Sequence, residues 1–308
     1  MIVDVNCIAT LPGHQNPVYT VEQAHNQYVF YTAGNDKGIV EWNLDIPDFS
    51  KVLMPVQSSV YALHAPANKP VLLIGERSGS IQVYNFEDSK PGNTLKRHTL
   101  PVFDIRSINY KNEFLAASED GTVTVWSMDN YQLLYQFAAS ADTIRTIAIS
   151  PDEKWIALGC KDNYIRIYQT EDYSLVCELK DHTLPVTSLA FSPDGTTLIS
   201  GSRDAHLKLW DTASFSLLQN IPAHLFAIYD IKFHPTLPLF ATASRDKSIK
   251  IWDTELRLKK VISIEKGYPS HTHSVNKLLW TSNKSQLVSV SDDKKVIIWE
   301  VQAVLSQN

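Results

Sequence analysis

The sequence predicts an all-β protein made of seven similar units, each with four short strands. The first observation is a period: an aromatic residue that ends a strand recurs every 42 residues, except for a last interval of 47. Second, each period holds runs of β-branched and aromatic residues separated by turn-forming residues. Third, no segment shows the apolar period of a helix. The recurring aromatic residues are Trp42, Tyr84, Trp126, Tyr168, Trp210, Trp252 and Trp299.

The strands of one unit follow a fixed order, which is clearest in the fifth and sixth units. "VTSLAF" and "IYDIKF" predict the first strand, and "SPDG" or "HPTLP" predicts the turn after it. "TLIS" predicts the second strand, "HLKLW" or "SIKIW" the third, and "SLLQNI" the fourth. The five extra residues of the last interval fall within 256–270, around "EKGYPS". They are expected to lengthen a connection between units without changing a strand.

The two ends of the chain are predicted to meet in one sheet. "NCIATLPGH" near the N-terminus aligns with "SLLQNIPAH", so residues 6–11 are expected to form the outermost strand of the last unit. The other three strands of that unit are expected within residues 276–301. A sheet shared by both ends removes the exposed edges that an open array would leave. No linker interrupts the series, so residues 1–308 are predicted to form a single domain.

Most units have polar landmarks at fixed distances before the aromatic residue: His at 28, Ser at 8 and Asp at 6 residues. Full sets are His98/Ser118/Asp120/Trp126, His182/Ser202/Asp204/Trp210, His224/Ser244/Asp246/Trp252 and His271/Ser291/Asp293/Trp299. This pattern resembles the WD-repeat β-propeller family over about residues 7–301. The resemblance implies a closed seven-bladed β-propeller of four-stranded antiparallel blades, with the N-terminal strand joining the last blade.

The resemblance also implies that each full set forms a hydrogen-bonded tetrad, from Trp to Ser to His to Asp. Each polar atom buried between blades must form a hydrogen bond, because an unsatisfied one lowers the stability by about 1–3 kcal/mol. These sets are therefore interpreted as structural and not as catalytic triads. The first unit has Gly34 in place of Ser. The units that end at Tyr84 and Tyr168 have no His, and we expect packing alone to hold them.

Composition narrows the function classes. The net charge of −5 disfavours a dedicated nucleic-acid binder. Three cysteines without CxxC spacing predict neither disulfides nor a zinc site, and they favour a reducing compartment. No secretory signal or run of about 20 apolar residues is found. The expectation is a cytoplasmic protein, with the nucleus left open, that lacks catalytic residues, metal and cofactor, has no membrane span, and is monomeric or a subunit of a larger complex.

Function is expected where the units differ. The family resemblance implies that recognition takes place at one end of the ring, around the central channel, here called the narrow face. Two positions per unit are predicted to lie there. The first lies five residues after the His position and holds Tyr19, Tyr61, Phe103, Arg145, Thr187, Tyr229 and Asn276. The second directly precedes the Asp position and holds Asn35, Arg77, Glu119, Lys161, Arg203, Arg245 and Asp292. Asp104 and Asp230, one step past the first position, are further candidates.

These residues favour a non-catalytic scaffold that binds a protein or peptide on the narrow face. Aromatic residues and arginine dominate protein-recognition hot spots, and a basic arc of Arg145, Lys161, Arg203 and Arg245 suits acidic or phosphorylated groups. The competing structural interpretation is that the aromatic residues only pack in the channel mouth and that the arginines are solvated. An enzyme or small-molecule site in the channel is the alternative function, and nucleic-acid association through the basic arc is a third.

Overall fold

The computed structural model describes residues 2–23 and 26–304. Their regular elements are the strands β1–β28 and one 3₁₀ helix at Ile264–Lys266. The strands form seven four-stranded antiparallel sheets, the blades. The helix lies within the predicted insertion, in the connection between the sixth and seventh blades.

The bounds of the strands, in chain order, begin with β1 (Ile2–Leu11). Blades 1 and 2 are β2 (Val18–Glu22), β3 (Val29–Gly34), β4 (Gly38–Asn43), β5 (Asp48–Pro55), β6 (Val60–His64), β7 (Val71–Glu76), β8 (Ser80–Asn85) and β9 (Lys90–Lys96). Blades 3 and 4 are β10 (Val102–Ile108), β11 (Glu113–Ser118), β12 (Thr122–Ser127), β13 (Leu133–Ala138), β14 (Ile144–Ile149), β15 (Trp155–Cys160), β16 (Ile165–Gln169) and β17 (Leu175–Leu179). Blades 5 and 6 are β18 (Val186–Phe191), β19 (Thr197–Ser202), β20 (His206–Asp211), β21 (Leu217–Pro222), β22 (Ile228–Phe233), β23 (Leu239–Ser244), β24 (Ile249–Asp253) and β25 (Leu258–Ile262). Blade 7 has β26 (Val275–Trp280), β27 (Leu287–Ser291) and β28 (Val296–Val304).

The blades form a closed ring. The first strand of each blade contacts the first strand of the next, and β26 of blade 7 contacts β2 of blade 1. The strand β1 pairs antiparallel with β28 and completes blade 7, as the sequence predicted. It begins at Ile2, four residues earlier than expected, because Val3 and Val5 alternate inward and join the core. The ring therefore closes through a strand from each end of the described chain.

The core lies between the blades. It divides into seven apolar clusters, each built from two consecutive blades around the ring. Trp42, Trp210 and Trp299 are among its largest fully buried side chains. The indole N–H of such a tryptophan must find an acceptor inside the protein.

A hydrogen-bonded network supplies that acceptor, and blade 5 shows it clearly. Trp210 Nε1 donates to Ser200 Oγ at 2.9 Å, and Ser200 Oγ lies 2.8 Å from His182 Nε2. His182 Nδ1 lies 2.8 Å from Asp204 Oδ2. A neutral imidazole that donates from Nδ1 and accepts at Nε2 satisfies every group in this chain. The networks of blades 1, 6 and 7 contain His14/Thr32/Asp36/Trp42, His224/Thr242/Asp246/Trp252 and His271/Ser289/Asp293/Trp299.

The hydroxyl in this network is not the one that the sequence predicted. Ser202 and Ser244 were expected to bridge Trp and His, but they donate to the carbonyl oxygens of Leu184 and Phe226. They also accept the N–H of the Asp two residues later. Ser118 and Ser291 likewise accept the N–H of the Asp two residues later. The prediction that these serines bridge Trp and His was therefore wrong for all four. Gly34 takes this position in blade 1, where a Cβ would lie 2.1 Å from Pro17 O.

Blade 3 keeps the network with a hydroxyl from a different strand. Ala116 occupies the position of the bridging hydroxyl. Thr124, on the neighbouring strand β12, replaces it: its Oγ1 lies 2.9 Å from His98 Nε2 and accepts from Trp126 Nε1 at 2.8 Å. His98 Nδ1 lies 2.8 Å from Asp120. Five blades therefore have a complete network, one more than the sequence predicted.

Blade 4 is not held by packing alone, contrary to expectation. Arg166 lies where the network would be and pairs with Asp162 at 2.7 Å and with Glu178 at 2.9 Å. Ser140 donates to the same Asp162 carboxylate at 3.1 Å. A guanidinium thus replaces the missing imidazole, because both groups can donate hydrogen bonds to the Asp.

Acidification is expected to lower the melting temperature in two steps. Burial lowers the pKa of His182 and His224 below the usual value, although their Asp partners oppose the shift. These imidazoles stay neutral in the folded state and take up protons on unfolding, so stability falls as the pH drops below about 6.5. Burial alone would raise the pKa of Asp293, but its interactions with His271 and its hydrogen bonds from the backbone N–H groups of Thr272 and Lys295 together outweigh burial and lower that pKa to about 2. Its stabilising contribution is present above the unfolded pKa of about 3.9 and is lost as the pH falls towards 2.

Circular dichroism melts from about pH 7 down to pH 3 measure this dependence. A melting temperature that stays constant between pH 7 and pH 5 would contradict the neutral state assigned to the buried imidazoles.

Candidate narrow-face binding site

The first position of the predicted narrow face is the second residue of the first strand in every blade. In all seven blades the pairing between the first two strands shifts at this residue, as in a β-bulge. A bulge leaves one residue unpaired and redirects its side chain. Seven bulges in equivalent places therefore point seven side chains towards the channel mouth.

These seven side chains line one depression of about 290 Å³. Arg203 and Asp292 from the second predicted position line it too, and so does Lys277. The depression therefore brings together the whole first set but only these two residues of the second set. Its lining from the first set is Tyr19, Tyr61, Phe103, Arg145, Thr187, Tyr229 and Asn276.

One side of the depression is a row of three neighbouring aromatic rings, tilted by 31° and 40° to one another, that ends in an arginine. Tyr19 and Tyr61 have ring centroids 5.2 Å apart, and Tyr61 and Phe103 are also 5.2 Å apart. The guanidinium of Arg145 lies 4.1 Å from the centre of the Phe103 ring. Such a cation–π contact holds the guanidinium in place while leaving its N–H donors for other partners.

Arg145 and Arg203 together make this side electropositive. Burial lowers the pKa of Arg145 and the charge of Arg203 lowers it further, whereas the carboxylate of Glu119 opposes this shift. Within residues 2–23 and 26–304, no carboxylate lies within 4 Å of either guanidinium. Burial also raises the pKa of Tyr19, and Tyr61 contributes to that shift. The two guanidinium groups can thus accept an anionic group beside the row of aromatic rings.

The rest of the predicted basic arc lies outside the depression. Lys161 pairs with Asp142 at 3.0 Å on the surface. Arg245 is exposed and does not line the depression, and its guanidinium lies 5.9 Å from the Phe226 ring centre. Arg77 is exposed on blade 2. The arc therefore reduces to Arg145 and Arg203 in the depression, with Arg245 outside it.

Exposed apolar side chains beside the arginines were missed from the sequence. Leu225 is 82% exposed and Phe226 is 56% exposed, and both directly follow the network residue His224. Leu184 and Leu100 are exposed two residues after His182 and His98. An apolar residue one or two positions after the network histidine, in the connection between blades, is the sequence feature that would have predicted them. They extend the potential contact surface outward over blades 3, 5 and 6.

Asp104 and Asp230, named as further candidates, tie neighbouring blades together. Asp104 Oδ2 accepts from the Ile147 N–H of the next blade at 2.8 Å, and Asp230 Oδ2 accepts from Leu278 N–H at 3.0 Å. Both side chains are buried. We therefore assign them to the frame that fixes the channel and not to ligand contact.

The described part of the chain has no group of three or more His, Cys, Asp or Glu side chains placed to hold a metal ion. No helix among the described residues is long and apolar enough to cross a membrane.

The WD40 family model (WD domain, G-beta repeat) matches this chain five times, at residues 5–43, 89–127, 173–211, 215–253 and 262–300. Each of these stretches ends one residue after the tryptophan of a complete network. The units that end at Tyr84 and Tyr168 are unmatched by it. The WD40 domain model of anaphase-promoting complex subunit 4 matches residues 109–183.

Three curated proteins are distant relatives. The kinesin-like protein KIF21A of Homo sapiens is 28% identical over 130 residues, which are 39% of this chain and 8% of that protein. The cytoplasmic dynein 1 intermediate chain of Drosophila melanogaster is 26% identical over 156 residues, 45% of this chain and 24% of the relative. The U3 small nucleolar RNA-associated protein 15 of Schizosaccharomyces pombe is 26% identical over 97 residues, 31% of this chain and 20% of the relative.

The chain thus corresponds to less than a quarter of each of these relatives. The five family matches together span more than half of the 308 residues, in register with the blades. On the repeated network, the seven closed blades and these matches, the chain belongs to the WD-repeat β-propeller family.

Proposed function

We propose that the chain acts as one propeller unit and as a non-catalytic scaffold that binds a segment of a partner protein on its narrow face. The observation that carries this proposal is the depression lined by all seven bulge residues. Its row of aromatic rings gives apolar contact area, and no carboxylate of the described chain lies within 4 Å of the Arg145 or Arg203 guanidinium. Such a combination suits an extended segment with an acidic or phosphorylated side chain.

The exposed apolar residues beside the depression support a protein partner over a free small molecule. Leu184, Leu225 and Phe226 lie along blades 5 and 6, next to Arg203 and Arg245. A small molecule in the depression would leave this surface uncovered, whereas a protein segment that continues outward would bury it. The names of the relatives, which include a kinesin-like protein and a dynein intermediate chain, are compatible with a role in assemblies. An intracellular site of action is proposed because Cys7, Cys160 and Cys177 are all free.

Site-specific photo-crosslinking in the native host tests this proposal. A benzophenone amino acid replaces Tyr61 in one variant and the exposed rim residue Leu134 in a matched control. We expect Tyr61 to crosslink one recurring peptide that contains acidic or phosphorylated residues, and we expect the rim control not to capture it. Equal capture of that peptide by both variants, or a small molecule as the only adduct at Tyr61, would contradict the proposal.

The captured peptide is then synthesised and its affinity is measured. Arg203→Glu places a negative charge beside the expected anion, so the dissociation constant is expected to rise by about tenfold or more. Lys161→Glu is the control, because Lys161 is already paired and lies outside the depression. Unchanged affinity in Arg203→Glu would move the binding site to another surface.

A further inference from the structure

A second cavity lies in blade 2, where the Trp–His network is missing. Val56 occupies the position of the network histidine, and Ile74 occupies that of the bridging hydroxyl. Neither side chain can take part in the polar chain. A cavity of about 510 Å³ lies beside them, and its lining includes Val56, Glu76, Ser78, Gln82 and Lys96. It opens to solvent between side chains that include the exposed Ser78 and Lys96.

The carboxylate of Glu76 in the wall of this cavity is incompletely paired. Glu76 is only 1% exposed. Its Oε2 accepts from Ser58 Oγ at 3.3 Å and from Ser78 Oγ at 2.8 Å. Its Oε1 is buried and has no hydrogen-bond partner among the residues that the structure describes. Lys96 lines the cavity too, but its ammonium group is not within 4 Å of this carboxylate. A buried carboxylate in this state costs free energy until a donor, above all a cation, reaches it.

Blade 4 shows which group fills this space when the histidine is lost. Arg166 of β16 lies there and pairs with Asp162 and Glu178. The residue at the same place on β8 of blade 2 is Gln82, two residues before the terminal tyrosine in both blades. Its side chain is neutral, and its Oε1 is engaged by Thr94. Blade 2 thus has the acceptor but lacks a guanidinium of its own.

We propose that the blade 2 cavity binds the guanidinium of an arginine side chain from a partner protein, with Glu76 as its counter-ion. The guanidinium would take the place that Arg166 fills in blade 4, and Ser78 and Gln82 offer further oxygen acceptors on the cavity wall. Arginine suits the site better than lysine, because its planar fork can bind a carboxylate and a second acceptor together. This site lies apart from the bulge-residue depression and does not depend on the function proposed for it.

Titration of the purified full chain with N-acetyl-arginine amide tests the proposal by NMR. We expect the amide signals of Ser78, Gly79 and Ser80 to shift with the arginine compound. We expect no such shift with N-acetyl-citrulline amide, which has the same shape without the charge. N-acetyl-lysine amide is expected to bind more weakly than the arginine compound. Equal shifts with the citrulline compound, or tighter binding of the lysine compound, would overturn the assignment.

Two variants and a control complete the test. Glu76→Gln is expected to weaken binding by about tenfold or more while keeping the melting temperature, since it removes a charge and preserves the shape. Gln82→Arg supplies the guanidinium from within, so it is expected to abolish binding and raise the melting temperature. Lys161→Ala, at a residue that lines neither cavity, is the control and is expected to bind the arginine compound normally. Binding that persists in Gln82→Arg, or affinity for the arginine compound that is unchanged in a folded Glu76→Gln variant, would show that the cavity is not an arginine site.

Discussion

Deletion of residues 2–11 is expected to lower the melting temperature by roughly 10 °C or more, or to prevent folding altogether. This segment is the whole of β1, which pairs with β28 along its length. Val3, Val5 and Leu11 are each at most 4% exposed and contribute to two of the seven inter-blade clusters. Burial of three such side chains stabilises by about 5–8 kcal/mol in total, before the lost strand pairing is counted. Removal would also leave β28 as an open edge.

Point substitutions separate ring closure from a general effect of shortening the chain. Val5→Asp places a charge in the core and is expected to cost several kcal/mol, because the carboxylate has no partner there. Ile8→Asp, on the exposed side of the same strand, is the matched control and is expected to change stability little. Thermal melts followed by circular dichroism measure both. A truncated chain that melts at the temperature of the full chain would contradict closure by β1.

Thr242→Val is expected to destabilise the protein by about 2–3 kcal/mol, because it keeps the shape and removes the hydroxyl between Trp252 and His224. Trp252→Phe removes the indole donor at the other end of that hydrogen bond. The double-mutant cycle of these two changes is expected to show a coupling energy of about 1 kcal/mol or more.

Ser244→Ala provides the comparison, because the sequence had assigned the network hydroxyl to that residue. It should also destabilise, through loss of the contacts to Phe226 O and Asp246 N–H. Its coupling to Trp252→Phe is expected to be close to zero, since the two side chains share no hydrogen bond in the structure. Chemical denaturation of the single and double variants gives the energies. Strong coupling of Trp252 to Ser244 and none to Thr242 would restore the network predicted from the sequence.

The blades could be located from the sequence because the spacing of the aromatic residues repeats across the seven units, apart from the longer last interval. A substitution at one position does not change this spacing. It could not distinguish the two candidate hydroxyls, because Ser200 and Ser202 are two residues apart and lie on the same side of their strand. Strand register decides between them. Leu198 lies opposite Trp210, so Ser200 is a diagonal neighbour of the indole, and Ser202 lies further along near the turn. Register is a tertiary property that one unit does not reveal.

The narrow face was predictable to the extent that it follows the repeat. The seven bulge residues could be found by counting five residues from the His position of each unit, and they line one depression. The repeat pattern does not show which charged side chains form ion pairs or are buried. Lys161 is paired with Asp142, and Asp104 is buried against the next blade. The blade 2 cavity could not be predicted from the sequence either. The network histidine is missing from both blades 2 and 4, but blade 2 has a cavity there and blade 4 has Arg166.

The Ser202–Arg203–Asp204 triplet gives the most direct test of the central claim, that frame residues and contact residues alternate within one motif. Thermal stability and affinity for the peptide captured through Tyr61 are measured together in two variants. Arg203→Ala is expected to weaken binding while leaving the melting temperature unchanged, because Arg203 is exposed at the depression. Asp204→Ala is expected to lower the melting temperature by several degrees, because it removes the partner of His182, and to leave binding intact at low temperature. Full binding by Arg203→Ala together with lost binding in a stable Asp204→Ala variant would contradict the account.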